Sequence, residues 1–328
     1  MRVAVLGTGA VATRAARQLA STDAVEAVII HGADPERVER IVASIGRERA
    51  VRGGADPFAS GRADAVILAG AGSGLVAARA ALAAGLPVVS VADSVDEVRS
   101  LLALDAEARA AGVPLVVGAG FSPGLSCLLA AHAASVFDIV DEVHVARVGT
   151  AGPACARQHH NALAGSSVDW RDGAWVTRRG GSGRELCWFP EPVGAEDCYR
   201  AALPDALLLA PAFPGVERVT ARLAANRRDR VSAHLPMLRP PHPEGGVGAA
   251  RVEVRGRHNG ARAVEVLGAV DRPAVAAGAV AALAAVAAVE GRLIRHGAGG
   301  LAQLAPVLPT LAELARRGVK AAVFEGAS

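Results

Sequence analysis

The chain has 328 residues and a formal net charge of +3, with 52% hydrophobic and 20% charged residues. This composition excludes a disordered chain, and the length favours about two domains. Basic residues form no stripe interleaved with aromatic residues, so a nucleic-acid-binding protein is not indicated.

The chain begins with a strand, a glycine turn and a helix. Arg2–Leu6 is a short apolar run that predicts a buried parallel strand, and Gly7-Thr-Gly-Ala-Val-Ala12 follows it as a G-x-G-x-x-A turn. In this context the turn is typical of dinucleotide binding, because Gly9 lets the backbone approach a pyrophosphate. The alternative is an ordinary glycine turn without a ligand. The predicted cofactor contacts here are Gly7, Gly9, Ala10, Val11 and Ala12.

The second predicted strand, Ala24–His31, ends where such proteins select between NAD and NADP. His31 and Gly32 stand at its tip, with Asp34 and Arg37 slightly beyond. Because no acidic residue stands at the tip itself, the repulsion that excludes NADP is missing. We therefore expect NADP, with its 2′-phosphate near His31 or Arg37, and NAD as the alternative.

Strands and helices alternate up to about residue 137. The strands predicted at Ala63–Leu68, Val88–Val91 and Leu115–Val117 are each followed by small residues and a helix, which predicts a parallel sheet with one ligand crevice at its carboxyl edge. Asp93 lies at that edge and is a candidate catalytic residue, with a capping or turn role as the alternative. The other predicted cofactor contacts at this edge are His31, Gly32, Ala69, Gly70, Ala71, Ala92, Gly120, Phe121 and Pro123.

The pattern changes after residue 137. Asp141–Val148 alternates like a half-covered strand, and Asn259-Gly260 predicts a tight hairpin between residues 251–257 and 261–268. Pro273–Val289 is uncharged but Ala-rich and short, so it predicts a buried helix and no membrane span. The expected domains are a cofactor-binding domain at 1–137, a substrate and dimerisation domain at 138–270, and helices at 271–328 that pack back on the first domain.

Few residues offer proton chemistry near neutral pH. His159 follows a loop of the second domain and is a candidate acid, unless it is simply a solvated histidine. Tyr199, the only tyrosine, is a third candidate, against a structural hydrogen-bonding role. Arg184, after the glycine run Gly180–Gly183, is a weaker candidate for holding a carboxylate. The four cysteines show no zinc spacing, which predicts reduced thiols in a cytoplasmic protein and no metal site.

Two stretches carry a family resemblance. Gly7–Ala12 and Gly118-Ala-Gly-Phe-Ser-Pro-Gly124 together resemble the saccharopine dehydrogenase/reductase-like family of NAD(P)-dependent oxidoreductases, over about residues 1–135. The resemblance implies a Rossmann domain interrupted by a sheet domain that covers the nicotinamide and mediates homodimer formation. It also implies hydride chemistry at a C–N bond of an amino-acid-like substrate. The sequence departs from that family at Gly32, and it lacks a Tyr or Ser directly before Asp93.

The expected fold is therefore α/β, a Rossmann-type doubly wound parallel sheet with an inserted α+β domain built on a mostly antiparallel sheet. The expected function is an NAD(P)H-dependent oxidoreductase acting on a small amino-acid-, imine- or carbonyl-type substrate, with no nucleic-acid or membrane partner. The alternative is a Rossmann-fold nucleotide-binding or regulatory protein without turnover.

Overall fold

The structure is a computed structural model that describes residues 1–58, 61–70, 74–237 and 240–323. The strands are β1 (Arg2–Leu6), β2 (Ala27–His31), β3 (Ala50–Arg52), β4 (Ala65–Leu68), β5 (Val88–Ser90), β6 (Pro114–Val117), β7 (Ile139–Val148), β8 (Ser166–Arg171), β9 (Ala174–Arg179), β10 (Glu185–Trp188), β11 (Ala195–Arg200), β12 (Arg218–Ala224), β13 (Gly248–His258), β14 (Ala261–Asp271), β15 (Gly297–Gly299) and β16 (Lys320–Val323).

The helices connect these strands and cover the sheets. They are α1 (Ala10–Ala20), α2 (Pro35–Ile45), α3 (Gly74–Ala83), α4 (Val95–Leu102), α5 (Asp105–Ala110), α6 (Leu125–Ala134), α7 (Pro153–Ala164), α8 (Asp205–Leu209), α9 (Arg227–Ser232), α10 (Pro273–Val289), α11 (Leu301–Leu304) and α12 (Val307–Arg316), with one 3-10 turn at Ala210–Ala212.

The first sheet has seven strands in the order β15-β6-β5-β4-β1-β2-β3, and its described pairs are all parallel. The chain runs outward from β1 to β3 and then returns to β4 on the other side of β1. This reversal of direction creates a crevice at the carboxyl ends of β1 and β4. Val3, Ala4 and Val5 are fully buried, as expected for a strand covered on both faces. The predicted Rossmann-type parallel sheet is confirmed.

Over the residues that the structure describes, the second sheet has nine strands and is mostly antiparallel, as predicted. Its main path is β10-β11-β12-β7-β13-β14-β16, with β8 and β9 attached beside β12. The β12–β7 pair is parallel. The predicted hairpin joins β13 to β14 through Asn259 and Gly260, whose φ angles are 50° and 78°.

Helix α10 is buried along nearly its whole length against α1 and the first sheet, which confirms the predicted buried helix. It approaches α1 closely because Gly278 has no side chain, since a Cβ there would lie 2.7 Å from the Ala15 backbone nitrogen. In the part of the chain that the structure describes, no helix has both the length and the apolar character needed to cross a bilayer.

Short strands escaped prediction. β3, β15 and β16 have three or four residues each and, unlike the equally short β5, contain no run of β-branched residues that would identify a strand. β15 pairs with β6 in the first sheet, whereas β16 pairs with β14 in the second. The segment after α10 therefore supplies one strand to each sheet.

Candidate active site

The glycine turn leaves the amino end of α1 open. Gly7 has φ +136°, and a Cβ there would lie 2.5 Å from the Ala69 carbonyl oxygen, so the turn accepts only glycine. Gly9 is the N-cap of α1, and a Cβ there would meet nothing within 4 Å. The first hydrogen bond of α1 runs from the Thr13 amide to the Gly9 carbonyl. The backbone amides of Ala10, Val11 and Ala12 precede Thr13 and have no hydrogen-bond partner within the helix.

The tip of β2 combines a histidine with charged neighbours. His31 is half-buried, and burial lowers its pKa, as does the positive charge of Arg62, while Asp56 acts in the opposite direction. Asp34 is engaged elsewhere, because its carboxylate accepts the Arg37 amide and caps α2 at 3.1 Å. The carboxylate closest in sequence to the tip is thus already bound within the protein.

The other small residues predicted to contact the cofactor lie along the same edge of the first sheet. Ala69 donates its amide to the Leu6 carbonyl at 2.9 Å, and a Cβ on Gly70 would lie 3.4 Å from the same oxygen. Gly32 packs against Thr8, where a Cβ would come within 2.5 Å of the threonine methyl group. Ala92 is buried at the end of β5. The predicted contact Ala71 lies outside the described residues.

The turn after β6 is closed by its own backbone. The Gly120 amide donates to the Pro123 carbonyl at 2.9 Å, and a Cβ on Gly124 would collide with the Gly120 backbone. Phe121 is buried within the turn. This rigid turn ends at the start of α6 and holds Ser122 in the cleft between the two sheets.

A buried arginine faces that turn. Arg147, near the end of β7, is 3% exposed and donates through Nη1 to the Ser122 carbonyl. Its Nε and Nη2 atoms have no hydrogen-bond partner among the described residues. The Ser122 hydroxyl in turn donates to Asp205 at 2.7 Å, and the Ser126 hydroxyl donates to the same carboxylate at 3.0 Å. Arg147 therefore presents unused donors in a buried position.

Loops of the second sheet lie over the amino end of α1. A Cβ on Gly152, the N-cap of α7, would lie 3.1 Å from the Cβ of Ala10. An ion pair of 2.7 Å joins Arg14 of α1 to Glu244. These contacts bring α7 to the crevice of the first sheet.

Three side chains from the two sheet regions meet in this crevice. Ligand atoms of Asp93, Cys155 and His159 all lie within 4.8 Å of one another, and the Cys155 Sγ is 3.4 Å from the His159 Nε2. Asp93 follows β5, whereas Cys155 and His159 are one turn apart on α7. Two of the three predicted catalytic residues thus come together, although they are distant in sequence.

The protonation of this cluster is set by burial and by Arg147. Burial lowers the pKa of His159 well below 6.5, and Arg147 lowers it further, so the imidazole is neutral at pH 7. Burial and the Asp93 carboxylate raise the pKa of the Cys155 thiol to about 12. Burial also raises the pKa of Asp93, although Arg147 opposes this change. Asp93 consequently holds a proton more readily than an exposed aspartate.

The same three groups are donor types that zinc accepts. One feature of the site favours proton handling over a cation: the Arg147 guanidinium places positive charge beside the cluster. The 3.4 Å between the Cys155 Sγ and the His159 Nε2 suits a direct hydrogen bond and equally suits two ligands of one zinc ion, so this distance favours neither.

Other predicted side chains are held elsewhere. The ring of Tyr199 in β11 is buried, with the Arg230 guanidinium 4.2 Å from its centroid. Arg184 forms an ion pair of 2.9 Å with Asp197 of the second sheet. Neither is among the side chains that act on the pKa of Asp93, which are Arg147, Cys155 and Asp205.

Sequence reasoning missed Arg147 and Cys155. Arg147 occupies a position of β7 that alternation assigns to the covered face, the face of Val143 and Val145. A charged residue on a face that the pattern requires to be apolar is a usable signal for a buried functional group. Cys155 stands four residues before His159, which places both on one face of any helix.

Comparisons with known proteins support the fold. No protein-family model and no curated protein sequence matches the chain. Among solved structures it is similar to apo saccharopine dehydrogenase (L-Glu forming) from Saccharomyces cerevisiae, with 15% identity, a TM-score of 0.67, and 98% of this chain and 99% of that chain covered. It is less similar to C. glutamicum DAP dehydrogenase in complex with DAP, at 14% identity, TM-score 0.49, and 97% and 98% coverage.

Fold and site together define a two-domain α/β protein of the Rossmann class with its candidate site between the two sheets. More particularly, the chain has the fold of saccharopine dehydrogenase over nearly the full length of both chains. The resemblance expected from Gly7–Ala12 and Gly118–Gly124 is confirmed at the level of the fold.

Proposed function

We propose that the protein is an NAD(P)-dependent oxidoreductase acting on a small substrate that carries a carboxylate beside a C–N or C=O bond. The observation that carries this proposal is the crevice itself. It brings the open amino end of α1 next to the partly buried Asp93 and Cys155 and the buried His159 and Arg147. A dinucleotide bound at the amino end of α1 would place its nicotinamide near Asp93.

The residues at the turn fit a dinucleotide. The free amides at the start of α1 and the helix dipole favour a pyrophosphate, and the open space at Gly9 leaves room for one. When bound, the nicotinamide supplies or accepts a hydride. At the β2 tip, Arg62 and His31 offer positive or polar contacts to a 2′-phosphate, and Asp34 is occupied as a helix cap. These features support NADP over NAD as the preferred cofactor.

Arg147 is proposed to hold the substrate carboxylate. Its unused Nε and Nη2 atoms form the planar donor pair that suits a carboxylate, and the Ser122 carbonyl fixes the guanidinium through the third nitrogen. Buried donors without a hydrogen-bond partner are costly, so a bound carboxylate would remove an existing penalty at Nε and Nη2. This arrangement favours amino-acid-like or keto-acid-like substrates over simple amines or aldehydes.

Asp93 is proposed to exchange the proton that accompanies hydride transfer. Its raised pKa brings it toward the neutral range, where an acid–base group works best. Neutral His159 and the Cys155 thiol lie beside it and would orient the carboxyl group and limit the access of water. Tyr199 is not included in this proposal because its ring is buried against Arg230.

The test begins with binding and continues with turnover. Titration of the protein with NADPH and NADH, followed by nucleotide fluorescence, is expected to show saturable binding with a preference for NADPH. With the cofactor bound, a panel of amino and keto acids would be compared with the matching decarboxylated amines and aldehydes. Failure to bind either nucleotide contradicts the proposal. Binding without turnover of any member of the panel would favour a nucleotide-binding or regulatory protein.

A further inference from the structure

A second cluster of charge lies on the other face of the second sheet. Arg147 of β7 pairs with Leu223 of β12, so these two residues lie on one face of the sheet. Arg218, Thr220 and Arg222 alternate with the residues of that face along β12 and therefore lie on the opposite face. The neighbouring strand β11 adds Arg200 to this face, because Arg200 pairs with Arg222 in register. The resulting cavity, here called the arginine pocket, is lined by Asp169, Arg171, Arg178, Arg200, Arg218 and Arg222.

The charges of the arginine pocket are not balanced. Among the described residues, five guanidinium groups line it, and Asp169 is the one acidic residue in its wall. Arg171, Arg218 and Arg222 have carboxylates at the rim, at 3.3, 3.9 and 3.3 Å. Within the described residues, Arg178 and Arg200 make no salt bridge. An excess of positive charge therefore remains inside the pocket.

Buried donors in the pocket are also left unused. The Arg222 side chain is 7% exposed, and its Nη1 has no hydrogen-bond partner among the described residues. The same holds for Nε of Arg200. Arg200 and Arg222 stand directly opposite each other across the β11–β12 ladder, where like charges repel. Since buried cations need counter-charges, this arrangement points to an anionic ligand.

We infer that the arginine pocket binds a small multivalent oxyanion of the phosphate or sulfate class, at a site separate from the crevice. Several convergent guanidinium groups can hold the oxygens of such an ion through charge-assisted hydrogen bonds. The pocket lies across the sheet from Arg147, so its ligand does not touch the candidate active site. Burial and the charges of Arg222, Arg178 and Arg218 lower the pKa of Arg200, with Asp169 acting against them.

The experiment uses inorganic phosphate as the probe. Phosphate would be titrated by calorimetry and by thermal unfolding at constant ionic strength, with sodium chloride replacing it in the reference. The expected result is a saturable rise in Tm beyond the chloride reference. Arg178→Gln, at an exposed wall position, is expected to weaken phosphate binding by about tenfold, the loss typical of one charged hydrogen bond. The matched control is Arg179→Gln, an exposed neighbour that does not line the pocket.

Two further arms separate competing explanations. Phosphate could bind at α1 instead, so the titration is repeated on Gly9→Val, which is expected to leave phosphate binding unchanged. Light scattering with and without phosphate tests whether carboxylates of a second copy of the chain fill the pocket, and no change of mass is expected. The inference is overturned if phosphate acts no differently from chloride, if Arg178→Gln matches Arg179→Gln, if Gly9→Val abolishes binding, or if phosphate dissociates an oligomer.

Discussion

The amino end of α1 and the cluster around Asp93 prepare for ligands in different ways. At α1 the main chain provides the binding groups, through the amides at the start of the helix and the absence of a side chain at Gly9. At the cluster, side chains from two sheet regions are brought together and their protonation is set by burial and by Arg147. Substitutions at the first should therefore act through steric fit, and those at the second through charge and proton transfer.

The largest effect is expected at the cluster. Asp93→Asn should lower kcat by about 1000-fold, because an amide cannot exchange the proton that a general acid supplies. The measurement is steady-state turnover with the substrate found in the screen, together with cofactor titration, which should be unchanged. Asp96→Asn, an exposed position on α4, is the matched control. Full activity of Asp93→Asn would remove Asp93 from the proposed chemistry.

A smaller effect is expected at the turn, and on binding alone. Gly9→Val should weaken NADPH binding at least about tenfold, since the new side chain fills the space left for the pyrophosphate. Gly9→Ala should give a smaller loss. Because a Cβ at this position meets nothing within 4 Å, neither variant should lower Tm appreciably. Unchanged affinity in a folded Gly9→Val protein is incompatible with cofactor binding at this turn.

At the β2 tip a still smaller effect is expected, on the choice between NADPH and NADH. Arg62→Ala should weaken NADPH binding by about fivefold and leave NADH binding unchanged, because only NADPH carries the 2′-phosphate. Arg37→Ala tests the other basic residue that the sequence indicates, and comparison of the two variants locates the phosphate. Equal losses for both nucleotides in Arg62→Ala would mean that this residue acts on the fold instead of on selectivity.

The smallest effect concerns the pH dependence of stability. The folded-state pKa of His159 is well below its ordinary value of 6.5, so below pH 6.5 the unfolded chain binds a proton that the folded chain does not. Stability must then fall as pH falls. His159→Asn should lack this component, so the wild type should lose about 1–2 kcal/mol more than the variant between pH 7.5 and pH 5 in urea unfolding. His160→Asn is the matched control, and parallel pH profiles for wild type and His159→Asn would contradict the assignment.

The two regions were also unequally accessible to prediction. The turn is local, since the strand, glycines and helix that define it all lie within Arg2–Ala20, and their steric needs can be read from residue types. The cluster depends on how α7 is placed against β5, which no local pattern states. Arg184 illustrates the difficulty, because the adjacent glycine run makes it a weak candidate for a ligand contact, whereas the fold pairs it with Asp197.

The segment after α10 has a consequence for biosynthesis. β15 forms one edge of the first sheet and β16 one edge of the second, and both are made late. Until they emerge from the ribosome, β6 and β14 keep unpaired backbone groups of the kind that recruit other chains into aggregates. A translation product that stops before Gly297 should therefore expose two unpaired, aggregation-prone strand edges at once. Its recovery as a monomer would depend on chaperones.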